Sequence, residues 1–242
     1  MSDADVRAAA EKAFGAPFAD FAPRAGGHSS KNYRAVAADG SVYFVKAASP
    51  KVVARLRDVH RRLKTPLVPE PVFSAGGIIA FPWREGASVD PAEMTPGQRA
   101  SVLAAVQAFH AASDGWIHGD FHARNFFFRG DAVTTVVDWE KARPGEPVDD
   151  LLRLFVYALE RTRCWRFARL ARLERGLAEL VARGPFPAAA WLAALERYAA
   201  HKAARRALRK GTFLAALEKP FRGGLYRRLR RVVCAAKGGA PA

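Results

Sequence analysis

His118-Gly119-Asp120-Phe121-His122-Ala123-Arg124-Asn125 runs into Phe126-Phe127-Phe128 and, past a Gly130-Asp131 turn, into Val133-Thr134-Thr135-Val136-Val137-Asp138-Trp139-Glu140. The stretch sets an acid, an amide and a second acid at fixed spacing. Four residues separate Asp120 from Asn125, and twelve separate Asn125 from Asp138. Trp116-Ile117 ahead of the motif is apolar, as are Phe126 to Phe128 and Val133 to Val137, which predicts short strands on either side of the turn. A hairpin closed at Gly130-Asp131 puts Asn125 at the start of one strand and Asp138 at the end of the next, with Asp120 on the loop leading in. Asp and Asn are common in turns that do no chemistry. The joint pattern is much harder to obtain by chance, and three oxygen-bearing side chains converging on one rim suit work on a charged substrate.

A chain of 242 residues fits one or two closely packed domains, and an apolar half argues for a globular protein rather than disorder. No run approaches the roughly 18 apolar residues of a membrane span. Met1-Ser2-Asp3-Ala4-Asp5 lacks the basic segment and apolar run of a signal peptide. Cys164 and Cys234 are too few for a disulfide scaffold or a zinc site. Free thiols in a reducing cytoplasm are the expectation. Charge is the unusual property. Residues 161–242 hold 20 Lys and Arg against 4 Asp and Glu, whereas residues 1–160 are balanced at 19 of each. A one-signed field over the C-terminal third favours an anionic partner or substrate.

The motif resembles the catalytic core of the protein-kinase-like phosphotransferases, in the branch of aminoglycoside phosphotransferases, choline kinases and lipopolysaccharide-core sugar kinases. That branch reads His-Gly-Asp-x-His-x-x-Asn, then Asp about a dozen residues on, and His118 to Asn125 match it position by position. The resemblance implies an α+β, bilobal fold. Residues 1–84 would form a small antiparallel β lobe with one helix that binds the nucleotide. Residues 85–242 would form a mainly helical lobe holding the catalytic loop, Asp138 and the basic C-terminal helices. It further implies Asp120 as the catalytic carboxylate, Asn125 and Asp138 as ligands of Mg²⁺, and ATP as the phosphoryl donor. His118 would order the loop, and His122 would shape the acceptor side.

Outward from the motif, the rest of the chain falls into place around it. A helix is expected near residues 2–14 and a strand over 18–23. Ala25-Gly26-Gly27-His28-Ser29-Ser30-Lys31 suits a tight turn whose backbone N–H groups face a phosphate. It resembles the Gly-Gly-x-Ser loop of the small-molecule kinases, with Ser30 where many carry Asn, which implies nucleotide contacts from Gly26, Gly27, Ser29 and Ser30. Residues 32–38 and 41–47 alternate as strands around an Asp39-Gly40 hairpin turn. Lys46, near the end of the second strand, occupies the place of the family's phosphate-contacting lysine. Ser49-Pro50 starts a helix with Val52, Leu56, Val59 and Leu63 on one face. The family's lysine-pairing glutamate is missing from it. Asp58 is its only acid, expected either to replace that glutamate or to pair at the surface with Arg55 or Arg61.

Further strands are expected around residues 68–73 and 78–83, then an inter-lobe linker, Phe81-Pro82-Trp83-Arg84-Glu85-Gly86. Thr95-Pro96 caps a helix with Val102, Leu103, Val106 and Phe109 inward. Asp150 is expected to cap the next helix. Helices follow over 151–161, 164–183, 188–210 and 212–218. Leu225, Leu229, Val232 and Val233 then mark one face of an amphipathic end whose other faces carry Arg227, Arg228, Arg230 and Arg231. That end suits either a packing helix or peripheral contact with a membrane surface.

The expected acceptor follows from charge. Choline and aminoglycosides are cations, which basic helices repel. An anionic glycolipid sugar of the lipopolysaccharide-core type fits better, on a cytoplasmic enzyme that touches the inner face of the membrane through its basic C-terminus. Three alternatives stay open: an aminoglycoside- or choline-type kinase, a kinase-fold binding protein of weak activity, and a nucleic-acid binder. No helix-turn-helix, zinc or RNA-binding signature supports the last, so no nucleic acid is expected. The short chain and the lack of an Ala-Pro-Glu segment speak against a protein kinase.

Overall fold

The computed structural model describes residues 2–24, 30–63, 65–163, 165–207 and 213–238, with backbone alone over 203–207 and 213–223. The chain groups into two compact units. The first holds Met1–Gly86 with Thr135–Glu140, and the second holds Ala87–Thr134 with Lys141–Ala242. The expected boundary at 84/85 follows chain order, whereas this grouping carries Asp138 into the first unit.

The first unit is built on one antiparallel sheet, β1 (Phe18–Arg24), β2 (Lys31–Ala37), β3 (Val42–Ala47), β4 (Phe73–Ala75) and β5 (Ile78–Pro82), in the order β1-β2-β3-β5-β4. Period-two alternation drives β2, which turns Tyr33, Ala35 and Ala37 inward. The Asp39-Gly40 turn closes as expected. Gly40 takes φ +84°, and the Ala37 amide donates to the Ser41 carbonyl at 2.8 Å. Two helices accompany the sheet rather than one. α1 (Asp3–Phe14) starts in a reciprocal cap between Ser2 and Asp5 and buries Val6 and Ala10 against the sheet. α2 (Pro50–Arg62) starts at Ser49, with Pro50 in its first turn, and buries Val53, Leu56, Val59 and His60. Phe14 packs on Phe18 and Tyr43, with ring centroids 5.0 and 5.2 Å away.

The second unit is mostly helical. Its helices are α3 (Pro96–Ala112), α4 (Pro147–Arg161), α5 (Phe167–Arg183), α6 (Ala188–Ala207) and α7 (Phe213–Ala236). α4 is the central helix, burying Leu151, Leu152, Leu154, Phe155, Val156 and Leu159, and it packs on α3, α5 and α6. β7 (Phe126–Arg129) and β8 (Ala132–Val136) form the expected hairpin, with Gly130 at φ +59° in its turn. Gln98 of α3 donates to the Gly130 carbonyl at 3.0 Å, and Thr95 to Asp131 at 2.7 Å, so the cap of α3 also fixes the hairpin turn. The expected strand β6 (Trp116–Ile117) pairs with β9 (Arg143–Pro144), which the sequence pattern does not mark, and the pair brackets the catalytic-motif loop.

The helix boundaries need three corrections. α4 begins at Pro147, before the expected 151, because Pro in the first turn leaves no donor unsatisfied. The expected start of α5 at 164 moves to Phe167. The expected separate helix over 212–218 and the amphipathic end are one helix, α7, whose Leu225, Leu229 and Val233 are buried where it packs on α5 and α6. Burial of those three side chains offsets the weak helix propensity of the Gly and Pro residues within it.

α5 crosses α4 at Gly176. A methyl group there would lie 2.7 Å from the buried Phe155 ring. Gly176→Ala should therefore lower stability by about 1–3 kcal/mol despite its better helix propensity, read as the urea midpoint.

Candidate active site

In the second unit, the loop from Ile117 to Asn125 is held from three directions. Ile117 pairs with Arg143 across β6 and β9. Gly119 takes φ +75°, and a side chain there would run into the Lys141 carbonyl, so the position needs glycine. Asp150, fully buried in the first turn of α4, accepts the His118 amide at 2.6 Å and the Gly119 amide at 2.9 Å. Asp150 therefore does not cap its own helix as expected, and the N-cap residue is Glu146. Its carboxylate instead satisfies two loop donors that burial would leave orphaned. Burial pushes its pKa up to about 7, against the pull of those two donors. His118 Nδ1 accepts the Asp120 amide at 3.1 Å, which orders the loop from within.

Asp120 is buried and doubly paired. Arg153 of α4 donates to one carboxylate oxygen at 2.5 Å, and the Lys141 ammonium pairs with the other. Burial works against its charge, but the Lys141 hydrogen bond and the charges of Arg153 and Lys141 outweigh it and hold the carboxyl below its usual range. The partners differ in freedom: Arg153 is enclosed at 16% side-chain exposure, while Lys141 is open at 59%. Neither stands out in the sequence, since each is one basic residue among many.

Asn125 ends a one-turn 3₁₀ helix, and its side-chain amide donates to the Asp120 carbonyl at 3.1 Å. That bond fixes the amide and leaves its oxygen as the free acceptor. A neutral oxygen donor at the expected metal position suits a hard divalent cation.

In the first unit, Lys46 sits in β3 with 10% of its side chain exposed. It donates to Asp138 at 3.0 Å and pairs with Glu140. Burial disfavours its charge, yet the two carboxylates more than offset that and raise its pKa. Lys46 thus has a glutamate partner, but from the Asp-Trp-Glu segment rather than from α2. The expected pairing with Asp58 does not form. Asp58 points to solvent 3.9 Å from Arg61, because it falls on the exposed face of α2 between the inward Leu56 and Val59. Asp138 adopts φ +69°, a left-handed backbone that Asp tolerates. The segment is pinned by Val136 donating to Leu67 at 2.9 Å and by Trp139 Nε1 donating to the Val136 carbonyl at 2.8 Å. One Asp138 oxygen takes the Lys46 bond, and the carboxylate remains 43% exposed. Ser30 lies 3.4 Å from Asn32 Oδ1, whereas Gly26, Gly27 and Ser29 lie outside the described residues.

Residues 80–195 match the Phosphotransferase enzyme family (APH), a span that contains Asp120, Asn125, Asp138, Glu140 and Arg153. The chain has the fold of the protein-kinase-like phosphotransferases. Three solved structures illustrate the shared fold. Macrolide 2′-phosphotransferase MphH from Brachybacterium faecium is 18% identical, with 96% of this chain and 98% of that one aligned at a TM-score of 0.60. ADP-bound aminoglycoside phosphotransferase APH(2″)-Ib is 12% identical over 95% and 97%, with a TM-score of 0.58. The amicoumacin kinase hAmiN, in complex with AMP-PNP, Ca²⁺ and Ami, is 14% identical over 88% and 87%, with a TM-score of 0.55. No curated protein matches by sequence.

The second unit also has a cleft of about 370 Å³, lined in part by Asp90, His122, Arg124, Tyr157, Arg161 and Arg169. His122 stacks on Tyr157 at 5.0 Å and 18°, and Arg161 lies over the same Tyr157 ring at 4.7 Å. Arg169 pairs with Asp90 at 2.6 Å, whereas Arg124 and Arg161 have no carboxylate partner among the described residues. The cleft adjoins the catalytic-motif loop through His122 to Arg124.

Asp120 gives a pH-dependent prediction. Its lowered pKa means that the stabilisation is complete above the ordinary value of 3.8 and is lost as pH falls through the lower folded value. Arg153→Gln should reduce unfolding free energy by about 1–3 kcal/mol at neutral pH, and the difference should shrink in acid. Urea unfolding of both proteins at neutral and acid pH checks this; a gap that persists unchanged in acid would mean that Arg153 acts through some other contact.

Proposed function

We propose that the phosphotransferase moves the γ-phosphoryl group of ATP, with Mg²⁺, to a hydroxyl of an anionic, non-protein acceptor. A sugar of a lipopolysaccharide-core-type glycolipid fits best. The observation that carries the acceptor class is the cleft beside the catalytic-motif loop: its one acid, Asp90, is neutralised by Arg169, while Arg124 and Arg161 remain without carboxylate partners among the described residues. Such a wall repels a cationic antibiotic or choline and attracts phosphate or carboxylate. The stacked His122 and Tyr157 rings are part of that cleft wall.

Phosphoryl transfer needs positioning and charge compensation more than covalent chemistry. Asp120 is assigned to orient the acceptor hydroxyl and take its proton late in the reaction. Arg153 keeps that carboxylate ionised and aimed. The exposed Lys141 is free to leave Asp120 when the hydroxyl arrives. Lys46 is assigned to the triphosphate, as is the loop of Gly26, Gly27, Ser29 and Ser30. Asn125 and Asp138 are assigned to Mg²⁺, which when bound neutralises phosphate charge. Residues 1–84 serve as the nucleotide lobe and 85–242 as the acceptor lobe. The enzyme works in the cytoplasm, at the inner face of the membrane where such a glycolipid is presented.

A second reading rests on the structural neighbours, which include macrolide and aminoglycoside phosphotransferases and an amicoumacin kinase. It predicts transfer to a cationic antibiotic instead.

The test is transfer of label from γ-labelled ATP with Mg²⁺ to anionic glycolipid, with aminoglycosides, macrolides and choline as parallel acceptors. Label should enter the glycolipid and fall by at least ~10²-fold in Asp120→Asn, with nucleotide binding retained. Asp138→Asn should instead weaken Mg-ATP binding itself, read by titration. Label in an antibiotic alone would replace the acceptor reading with the second one. Normal turnover by Asp120→Asn would remove that residue from the mechanism.

A further inference from the structure

We infer that the turn between α4 and α5 is a membrane-docking surface for anionic lipid at the mouth of the acceptor cleft. Trp165 and Phe167 are 62% and 74% exposed, and with Val72 they are the large apolar side chains left in solvent among the described residues. They lie two residues apart, Trp165 on the short connection and Phe167 at the first position of α5. In the same stretch of chain are Arg161, Arg163 and Arg166, all exposed and without carboxylate partners among the described residues. No acid occurs between Glu160 and Glu174, so nothing local neutralises the cluster.

The connection is braced in a way that keeps it presented. Thr162 is buried and donates to the Ala158 carbonyl at 2.8 Å, and it accepts from Arg169 at 3.0 Å. The Arg166 amide closes a turn onto Arg163 at 3.0 Å. Arg163 stacks over the Trp165 ring at 5.2 Å. Adjacent exposed aromatics, held outward in a stretch with unpaired arginines, combine the two signals that peripheral membrane binding needs: apolar side chains for the interface and positive charge for anionic headgroups. A protein partner of ordinary surface supplies no comparable reason for so many unpaired arginines, and a second copy of this chain would set arginine against arginine.

Two further facts favour this surface over the C-terminal helix. The apolar stripe of α7, Leu225, Leu229 and Val233, is buried within the unit, and Arg228 pairs with Glu174 at 2.8 Å, so that stripe is not available to lipid. Arg161 belongs both to the turn and to the cleft wall. A lipid surface engaged by Trp165 and Phe167 would thus lie at the entrance through which a lipid-borne headgroup reaches the cleft. The inference deepens the proposed acceptor reading, yet vesicle binding requires no phosphoryl transfer, so the two fail separately.

The experiment is co-sedimentation of the full chain with phosphatidylcholine vesicles, with and without roughly a third of phosphatidylglycerol. Binding is expected only to the anionic vesicles. It should weaken at least about tenfold in Trp165→Ser/Phe167→Ser through the lost apolar contact, and also in Arg163→Gln/Arg166→Gln. All four positions are exposed, so Mg-ATP binding and the circular dichroism spectrum should be unchanged in both variants. Quenching of Trp165 by bromine-labelled lipid, absent in Trp165→Phe, would place the side chain in the interface. Failure of the parent protein to bind anionic vesicles overturns the inference. So does equal binding by the Ser variant, or self-association through this face in place of vesicle binding.

Discussion

A carboxylate buried between two cations is the constraint on which the second unit depends. Burial disfavours the charge of Asp120 in its enclosed position, and its partners more than offset that. Those partners are Arg153 and Lys141, and each fixes something larger. Arg153 lies on α4, so the helix with the most buried apolar side chains also aims the Asp120 carboxylate. Asp150, one turn earlier on the same helix, takes up the His118 and Gly119 amides. The catalytic-motif loop is therefore referenced to the core of its unit through α4, and loop precision follows from helix packing.

The first unit solves a matching problem with opposite sign. Lys46 is a buried cation, and Asp138 and Glu140 compensate it. Because both acids lie on one short segment, the lysine is positioned without any help from α2. That frees the exposed face of α2, where Asp58 is a surface charge. The absent helix glutamate, which in the sequence alone reads as a mark against activity, is thus a relocation of the countercharge.

Charge elsewhere in the chain is divided between structure and surface. Several arginines of the basic third are spent on internal pairs: Arg169 with Asp90, Arg197 with Asp149 and Arg228 with Glu174. Among the described residues, Arg161, Arg163 and Arg166 at the turn after α4, Arg175 of α5, and Arg227, Arg230 and Arg231 of α7 have no carboxylate partner. Net charge by itself therefore overstates how much of the C-terminal region is available to an anion, and the location of the unpaired residues is the more informative quantity.

The sequence by itself determined the fold class and the candidate site residues. The spacing of His118, Gly119, Asp120 and Asn125, with Asp138 beyond, is dictated by local chain geometry around a hairpin, and local geometry is legible in sequence. So were the sheet hairpin at Asp39-Gly40 and the capped starts at Ser49 and Thr95, which depend on backbone chemistry within a few residues. Only the tertiary structure decided which charges pair. Lys46 meets Glu140 across 94 positions, and Asp120 meets Arg153 across 33, and no local pattern selects one basic or acidic residue from dozens. The same holds for the amphipathic end: an apolar stripe reads alike whether it meets lipid or another helix, and α5 settles it. The exposure of Trp165 and Phe167 is likewise decided by the fold.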